Sequence, residues 1–82
     1  MYKIVFTERA IKDLDKLDKQ CQIRIAQKLK EYSISPFEHL IKLSNPIIGT
    51  YRFRIGDYRV IFDIVENSIV VLRLGHRKSI YL

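Results

Sequence analysis

Apolar and polar positions divide the 82-residue chain into strand-like and helix-like segments. Residues 2–7 alternate, which predicts a short strand because successive strand side chains point to opposite faces. Thr7 is a candidate N-cap with Glu8 in the first turn, and apolar residues then follow helical spacing to residue 17. Asp18 caps a second predicted helix that ends near Tyr32. The stripe expected to be buried on this helix consists of Ile23, Ala26, Leu29 and Tyr32.

The rest of the chain predicts a loop and three strands. Ser35-Pro36 ends the second helix, because a residue before proline avoids the helical region, and residues 36–48 are expected to form a loop. Strands are predicted near 49–55, 58–65 and 69–76. This order predicts an α+β fold, β-α-α-β-β-β. Two antiparallel helices are expected to pack on one face of a small, mainly antiparallel four-stranded sheet.

The first predicted hairpin places two arginines opposite each other. Gly56-Asp57 has the composition of a two-residue turn, because glycine supplies the positive φ that such turns need. This turn aligns Arg54 with Arg59 and Phe53 with Val60. Like charges directly opposite each other destabilise a sheet. A bound anion such as a phosphate would convert that repulsion into a binding site.

The second hairpin has a register that depends on its loop. A two-residue turn would place Arg73 on the same face as Phe62, whereas a three-residue loop at 66–68 aligns Phe62 with Leu72 and Val60 with Leu74. The three-residue loop is preferred because a one-residue slip exchanges the two faces. The predicted core face is then Tyr51, Phe53, Val60, Phe62, Ile64, Val70, Leu72 and Leu74. The opposite face carries Arg52, Arg54, Arg59 and Arg73, with Gly75 opposite Arg59.

Composition narrows the class of protein. A chain of this length, 48% hydrophobic, predicts one folded domain over residues 1–82 and argues against disorder. No apolar run approaches the ~18 residues of a membrane span. Charge comes too early in the chain for a secretory signal. The single cysteine, Cys21, fits a reducing cytoplasm and is expected to be a partly buried thiol without a catalytic role.

The net charge of +6 is distributed unevenly by residue type. Residues 1–48 carry seven lysines and two arginines, whereas residues 49–82 carry five arginines and one lysine. Arginine on strands suits planar, bidentate recognition of phosphate. A basic domain of this size indicates a nucleic acid or an acidic protein as partner.

The C-terminal residues complete an inventory sufficient for RNA cleavage. The ribose 2′-OH is an internal nucleophile, so the protein has to stabilise charge and move protons. Arg54, Arg59 and Arg77 are candidates for charge stabilisation, and Tyr81 or His76 for proton transfer. The two histidines and the isolated carboxylates lack metal-ligand spacing, so no metal or other cofactor is expected.

Two C-terminal motifs resemble a known family. The segments Tyr51-Arg-Phe-Arg-Ile-Gly-Asp-Tyr-Arg59 and Gly75-His-Arg-Lys-Ser-Ile-Tyr81, with the element order, resemble the RelE group of the RelE/ParE toxin superfamily. The resemblance covers essentially the whole chain. It implies a toxin of a type II toxin–antitoxin system that cuts messenger RNA, often in the ribosomal A site and without metal. It also implies a small acidic RelB-like antitoxin as partner.

The resemblance assigns roles to particular residues. The basic pair of the family falls on Arg52 and Arg54, the following strand arginine on Arg59, the arginine after the last strand on Arg77, and the C-terminal tyrosine on Tyr81. Some members have lysines at the basic pair, and arginine is a weaker proton acceptor than lysine. His76 therefore stays beside Tyr81 as a candidate for proton transfer. RNA binding is expected from Arg52, Arg73 and Lys78.

Simpler interpretations stand beside these. Arg73 would pair with Asp63 across the sheet, His76 would be a structural hydrogen-bonding residue, and Tyr81 would cover the sheet edge. Two other functions also remain open. One is a ParE-like inhibitor of DNA gyrase, which would generally lack the arginine–tyrosine set. The other is a degenerate toxin that only binds an antitoxin or RNA.

Overall fold

The computed structural model describes residues 1–44 and 47–80. The elements in chain order are β1 (Lys3–Phe6), α1 (Glu8–Asp15), α2 (Lys19–Tyr32), a 3₁₀ turn (Pro36–Glu38), β2 (Ile41–Lys42), β3 (Tyr51–Ile55), β4 (Tyr58–Val65) and β5 (Ser68–His76). The predicted α+β class is confirmed, with both helices on one face of the sheet.

Both predicted helix caps are confirmed. The Thr7 hydroxyl accepts the Ala10 N–H at 3.2 Å, and the Asp18 carboxylate accepts the Cys21 N–H at 2.8 Å. Each bond satisfies a backbone donor that has no partner within its own helix. The first helix ends at Asp15, two residues earlier than predicted, and Leu17 continues only as a tight turn that bonds to the Leu14 carbonyl.

The sheet has five strands in the order β1-β5-β4-β3-β2. The predicted count of four is wrong, because Ile41 and Lys42, inside the predicted loop, pair antiparallel with Arg52 and Tyr51. The Leu43 N–H donates to the Thr50 carbonyl and continues this pairing. β1 runs parallel to β5, whereas the other pairs are antiparallel, so the sheet is mixed.

The first hairpin is confirmed, and the second is only partly as predicted. Arg54 pairs with Arg59 across the Gly56-Asp57 turn. The predicted three-residue loop is wrong, because Val65 pairs with Ser68 across a two-residue turn. A β-bulge then shifts the register between Ile61 and Phe62, and the extra residue restores the predicted pairing of Ile61 with Arg73.

The bulge changes which residues of β5 reach the core. Ile69 and Val71 are fully buried, whereas Val70 and Leu72, predicted to be core residues, are half-buried. Leu74 is buried as predicted, because it lies beyond the bulge. The buried cluster comprises Ala10, Ile25, Leu29, Phe53, Ile55, Val60, Phe62, Ile69, Val71 and Leu74.

The buried stripe of α2 also differs from the prediction. Ile25 and Leu29 each expose 1%, whereas Ile23 exposes 50% and Ala26 is exposed. Tyr32 is half-buried and packs on Phe53, with ring centroids 5.1 Å apart. The helix is therefore rotated about its axis relative to the prediction. Both stripes share Leu29 and Tyr32, so the spacing alone did not separate them.

The face opposite the helices is not uniformly polar. Ile61 is fully buried on this face, beneath the connection between β2 and β3. A Cβ on Gly49 would lie 2.6 Å from Ile61 Cγ2 and 3.0 Å from Leu72 Cδ1, so the backbone approaches closely there. The Thr50 N–H also donates to Asp63 Oδ1 at 2.8 Å. Gly49 and Thr50 therefore cover one end of this face, and Arg54 and Arg59 lie toward the other end.

Candidate functional site: an arginine cluster at the β3–β4 turn

One row of residues crosses three strands beside the Gly56-Asp57 turn. Arg54 on β3 pairs with Arg59 on β4, and Arg59 pairs with Gly75 on β5. Directly paired residues in an antiparallel sheet have Cα atoms only about 4.5–5.5 Å apart. Arg54 is exposed, whereas Arg59 exposes 6%. The row therefore places two guanidinium groups on one face at a single level of the sheet.

Backbone carbonyls orient the Arg59 side chain. Its Nη1 donates to the Gly56 and Tyr58 carbonyls, each at 2.9 Å. Gly56 belongs to the turn that the sequence predicted and Tyr58 is the first residue of β4, so the hairpin positions the side chain. A charge held in advance by the fold needs little reorganisation when an anion binds.

The C-terminal turn places Arg77 beside the same β3–β4 turn. The Arg77 N–H donates to the Asp57 carbonyl at 2.8 Å, and its Nε lies 3.8 Å from Asp57 Oδ1. Both side chains are more than half exposed, so this ion pair is weak and an anion can displace it. Ile80 folds over Gly75, with its Cδ1 3.4 Å from the position a Cβ would occupy. Lys78 is exposed in this turn.

Arg24 is a member of the cluster that the sequence analysis missed. Its guanidinium nitrogens and Cζ lie 3.6–3.9 Å from the Cβ position of Gly56. Arg24 follows Cys21 by three residues on α2, so the two lie on neighbouring parts of the helix surface. Cys21 Sγ and Tyr58 Oη form a hydrogen bond at 3.3 Å, which brings this face of α2 to the start of β4. The sequence carried no signal for that contact.

His76 lies on the other side of the sheet from Arg54 and Arg59. It pairs with Tyr58, and the two rings meet edge to face at 5.7 Å. Tyr58 in turn contacts Cys21, and that hydrogen bond is the main cause that raises the pKa of the Tyr58 hydroxyl. His76 Nδ1 accepts the Lys78 N–H at 3.1 Å. These contacts match the structural interpretation of His76. Tyr81, the other candidate for proton transfer, lies outside the described residues.

Arg73 forms an ion pair with α1. Its Nε donates to Asp13 Oδ2 at 2.7 Å, and the Leu74 N–H donates to the same oxygen at 3.2 Å. Burial raises the pKa of Asp13, but these hydrogen bonds and the charge of Arg73 outweigh that effect and leave it lowered. The alternative pairing of Arg73 with Asp63 is wrong, because Asp63 accepts from Thr50 instead. Arg73 therefore has a structural role whether or not it also meets RNA.

Arg52, the last of the predicted RNA-binding residues, lies apart from the row of Arg54 and Arg59. Arg52 is half-buried between Ile41 and Ile61, one row away from Arg54. Across residues 1–44 and 47–80, histidine, cysteine and carboxylate side chains form no group of three that would hold a metal ion. Neither described helix has the length and apolar character needed to cross a membrane.

Comparison with known proteins gives a consistent result. Residues 4–81 match the family model described as the ParE toxin of the type II toxin–antitoxin system parDE. Toxin RelE3 of Methanocaldococcus jannaschii is 31% identical to the chain, and the alignment covers 96% of this chain and 94% of that toxin.

Solved structures agree in fold over nearly the whole chain. The toxin–antitoxin complex RelBE2 of Mycobacterium tuberculosis contains a chain with a TM-score of 0.83 and 29% identity, covering 93% of this chain and 98% of that one. The archaeal RelE–RelB complex of Pyrococcus horikoshii gives a TM-score of 0.75 and 27% identity, covering 95% and 97%. The described fold is therefore one that chains of toxin–antitoxin complexes share.

Proposed function

Since the chain belongs to the RelE/ParE superfamily of type II toxin–antitoxin toxins, we propose that it is an endoribonuclease that cuts messenger RNA without a metal. The observation that carries this proposal is the cluster of Arg54, Arg59 and Arg77 around one turn. A nuclease that uses no metal needs such convergent positive charge at the scissile phosphate, where negative charge develops.

The proposed reaction needs no nucleophile from the protein. The ribose 2′-oxygen attacks the adjacent phosphorus and gives its proton to a general base, so the 2′-O–P bond forms. The P–O5′ bond breaks, and the leaving 5′-oxygen takes a proton from a general acid or from water. The products are a 2′,3′-cyclic phosphate and a 5′-hydroxyl. Arg59 and Arg77 hold the phosphate oxygens as negative charge develops, and Arg54 assists from the neighbouring strand. Donors positioned in advance contribute most where the charge develops.

Proton transfer is assigned to Tyr81. Tyr81 is the C-terminal tyrosine of the Gly75–Tyr81 segment that resembles the RelE motif, and a tyrosine in its ionised form can accept the 2′-OH proton. His76 is the weaker candidate, because its ring packs against Tyr58 on the side of the helices. The RNA backbone around the cut is proposed to contact Arg52, Arg73 and Lys78. Arg73 would make this contact while its Nε stays bonded to Asp13.

The partners follow from charge and from relatives. We propose a small acidic RelB-like antitoxin, because the chain carries +6 and its solved neighbours are RelE–RelB complexes. The ribosomal A site is the proposed place of cleavage, and the cytoplasm the proposed compartment. Inhibition of DNA gyrase is the second candidate, favoured by the ParE description of the matching family model. The RelE names of the relative and of the solved neighbours favour the nuclease.

One experiment separates these functions. Purified toxin is incubated with messenger RNA on ribosomes and, in parallel, with gyrase in a supercoiling assay. The nuclease proposal predicts cut RNA that ends in a 2′,3′-cyclic phosphate, which is the product of attack by the ribose 2′-oxygen, and normal supercoiling. Uncut RNA with inhibited supercoiling would favour the gyrase function. If neither target is affected, a degenerate binding module is the better account.

A further inference from the structure

A cleft of about 300 Å³ opens at the edge of β5. The end of α1 forms one wall with Lys16 and Leu17, and the C-terminal turn forms the other with Ser79 and Ile80. β1 pairs with β5 only as far as Val71. Beyond that residue, no described strand covers β5 on the side away from β4. The floor of the cleft is therefore an uncovered strand edge.

The backbone groups on this edge can be assigned from the bonds around them. The Leu74 N–H donates to Asp13, and the His76 carbonyl accepts the N–H groups of Ser79 and Ile80, so both residues turn their backbone away from β4. A residue of an antiparallel strand points its N–H and its carbonyl to the same side. The Leu74 carbonyl and the His76 N–H therefore face the cleft. In the part of the chain that the structure describes, neither has a hydrogen-bond partner on that side.

One acceptor and one donor side by side suit the edge of a nucleobase. Bases of single-stranded RNA are read through hydrogen bonds to their Watson–Crick edges, and each base has an adjacent donor and acceptor there. An added peptide strand is the poorer match, because it needs a longer run of edge groups. The Leu74 N–H already donates to Asp13, so fewer backbone groups of this edge are left for pairing with a peptide strand.

The walls of the cleft agree with this ligand. The rings of Tyr58 and His76 meet edge to face there and offer aromatic surface, which RNA-binding proteins use to stack bases. Lys16 is exposed at the rim, where its ammonium group can meet a phosphate. The volume lies at the small end of ligand pockets and suits a single base.

We propose that this cleft binds one nucleobase of an RNA strand, with the Leu74 carbonyl and the His76 N–H on the base edge and Lys16 on an adjoining phosphate. The proposal rests on the proposed ribonuclease function for the identity of the polymer. Gly75 lies between the two edge residues and pairs with Arg59, so the cleft lies at the same level of the sheet as the row of Arg54 and Arg59. Since Tyr58 and His76 lie on the opposite side of the sheet from those arginines, the occupant is a nucleotide of a strand that passes around the edge of β5.

Nuclear magnetic resonance tests the edge contact directly. The full chain, labelled with nitrogen-15, is titrated with each of the four nucleoside monophosphates and with ribose 5-phosphate as a probe that lacks the base. We expect at least one nucleotide to move the His76 amide proton downfield in a saturable way, and ribose 5-phosphate to leave it in place. A His76 amide that no nucleotide moves, or that ribose 5-phosphate moves equally, would overturn the proposal.

Variants test the cleft independently of that resonance. Ser79→Phe fills the space and is expected to weaken nucleotide binding at least tenfold, whereas Ser79→Ala keeps the space open and is expected to bind like the wild type. Lys16→Glu should weaken binding about threefold or more, whereas Lys12→Glu makes the same charge change at an exposed position of α1 that does not line the cleft. If Ser79→Phe does not fold, the lysine pair decides. Wild-type affinity in Ser79→Phe, or equal losses in the lysine pair, would refute the cleft.

The two proposals fail in different ways. Nucleotide binding by a protein that leaves ribosome-bound messenger RNA uncut would support the cleft and overturn the nuclease. Cleavage by a protein whose His76 amide resonance is shifted by none of the four nucleotides would support the nuclease and overturn the cleft.

Discussion

Arg59 and Arg73 lie on adjacent strands and on the same face of the sheet, yet the fold holds them by different groups. Arg73 reaches around the edge of β5 to the carboxylate of Asp13, which exposes only 8%. Arg59 donates to the backbone carbonyls of Gly56 and Tyr58 in its own hairpin and lies opposite Arg54. The bonds of Arg73 therefore join two distant elements, whereas these two bonds orient Arg59 within its hairpin.

The difference suggests how one face of a small sheet serves both stability and binding. The Asp13–Arg73 pair joins α1 to β5 across 60 residues of sequence and satisfies the Leu74 N–H in the same place. The arginines at the turn are brought together by one hairpin and the C-terminal turn, and the proposed function uses them to hold a phosphate. Loss of the Asp13–Arg73 pair should reduce stability, and loss of a turn arginine should reduce activity.

The largest expected effect is on cleavage. Arg59→Ala and Arg77→Ala should each reduce the rate of RNA cleavage about 10²–10³-fold, because each removes a donor placed in advance at the developing charge. Arg9→Ala removes an exposed guanidinium from α1 and serves as the matched control, with activity near that of the wild type. Single-turnover cleavage of ribosome-bound messenger RNA measures all three variants.

Arg77→Ala is the sharper of the two variants, because the Arg77 side chain is 55% exposed and its removal should hardly change stability. If Arg77→Ala cleaves RNA like the wild type while Arg9→Ala does not, the cluster at the turn is not the catalytic site. Arg59 and Arg73 would then differ only in the groups that hold them and not in function.

Asp13→Ala should cause the next largest effect, on stability. It leaves the Leu74 N–H without its acceptor and Arg73 without its counterion, which should cost about 2–3 kcal/mol of unfolding free energy. The figure lies below that of a fully buried pair because the Arg73 side chain is 31% exposed. Asp15→Ala on the same helix is the control and should cost less than about 0.5 kcal/mol, since Asp15 is exposed. Urea unfolding measures both, and equal losses would contradict a structural role for the pair.

A smaller effect is expected where the β2–β3 connection covers the sheet. Gly49→Ala would place a methyl group 2.6 Å from Ile61 Cγ2, so the connection or Ile61 has to move, at a cost of about 1–3 kcal/mol. Gly75→Ala meets Ile80 at 3.4 Å, and a small shift of that side chain accommodates it. Thermal unfolding should therefore rank Gly49→Ala as the less stable variant. The reverse order would show that the packing around Gly49 accommodates a methyl group more easily than the packing around Gly75.

The sequence predicted local features better than contacts between distant segments. Gly56 identifies the first hairpin, and the caps Thr7 and Asp18 identify both helix starts, because each depends on neighbours in the chain. The β-bulge was not predictable from alternation, since residues 69–72 are all apolar and fit either face. A run of consecutive apolar residues does not show which of them face the core. The register therefore depended on the predicted loop length, and the predicted three-residue loop is wrong.

The site follows the same division. Arg54, Arg59 and Arg77 were predicted because the hairpin and the following motif bring them together through short-range geometry. Arg24 was missed because its position depends on how α2 is rotated against β4, and Ile23 and Ile25 permitted two rotations. The Asp13–Arg73 pair was missed because it also depends on how distant segments pack: only the folded chain brings α1 to the edge of β5.

The smallest expected effect is the pH dependence of the Asp13–Arg73 pair. The pKa of Asp13 is lowered from 3.8 in the folded protein, because the hydrogen bonds from Arg73 and Leu74 and the charge of Arg73 outweigh the opposing effect of burial. A lowered folded-state pKa gives stability that is present above the unfolded pKa and is lost as pH falls through the folded value. Asp13→Asn should therefore be less stable than the wild type at pH 7, and the difference should shrink as pH falls below about 4. Urea unfolding at pH 7, 5 and 3 measures it, with Asp15→Asn as the control. A difference that stays constant down to pH 3 would show that the carboxylate contributes through packing and not through its charge.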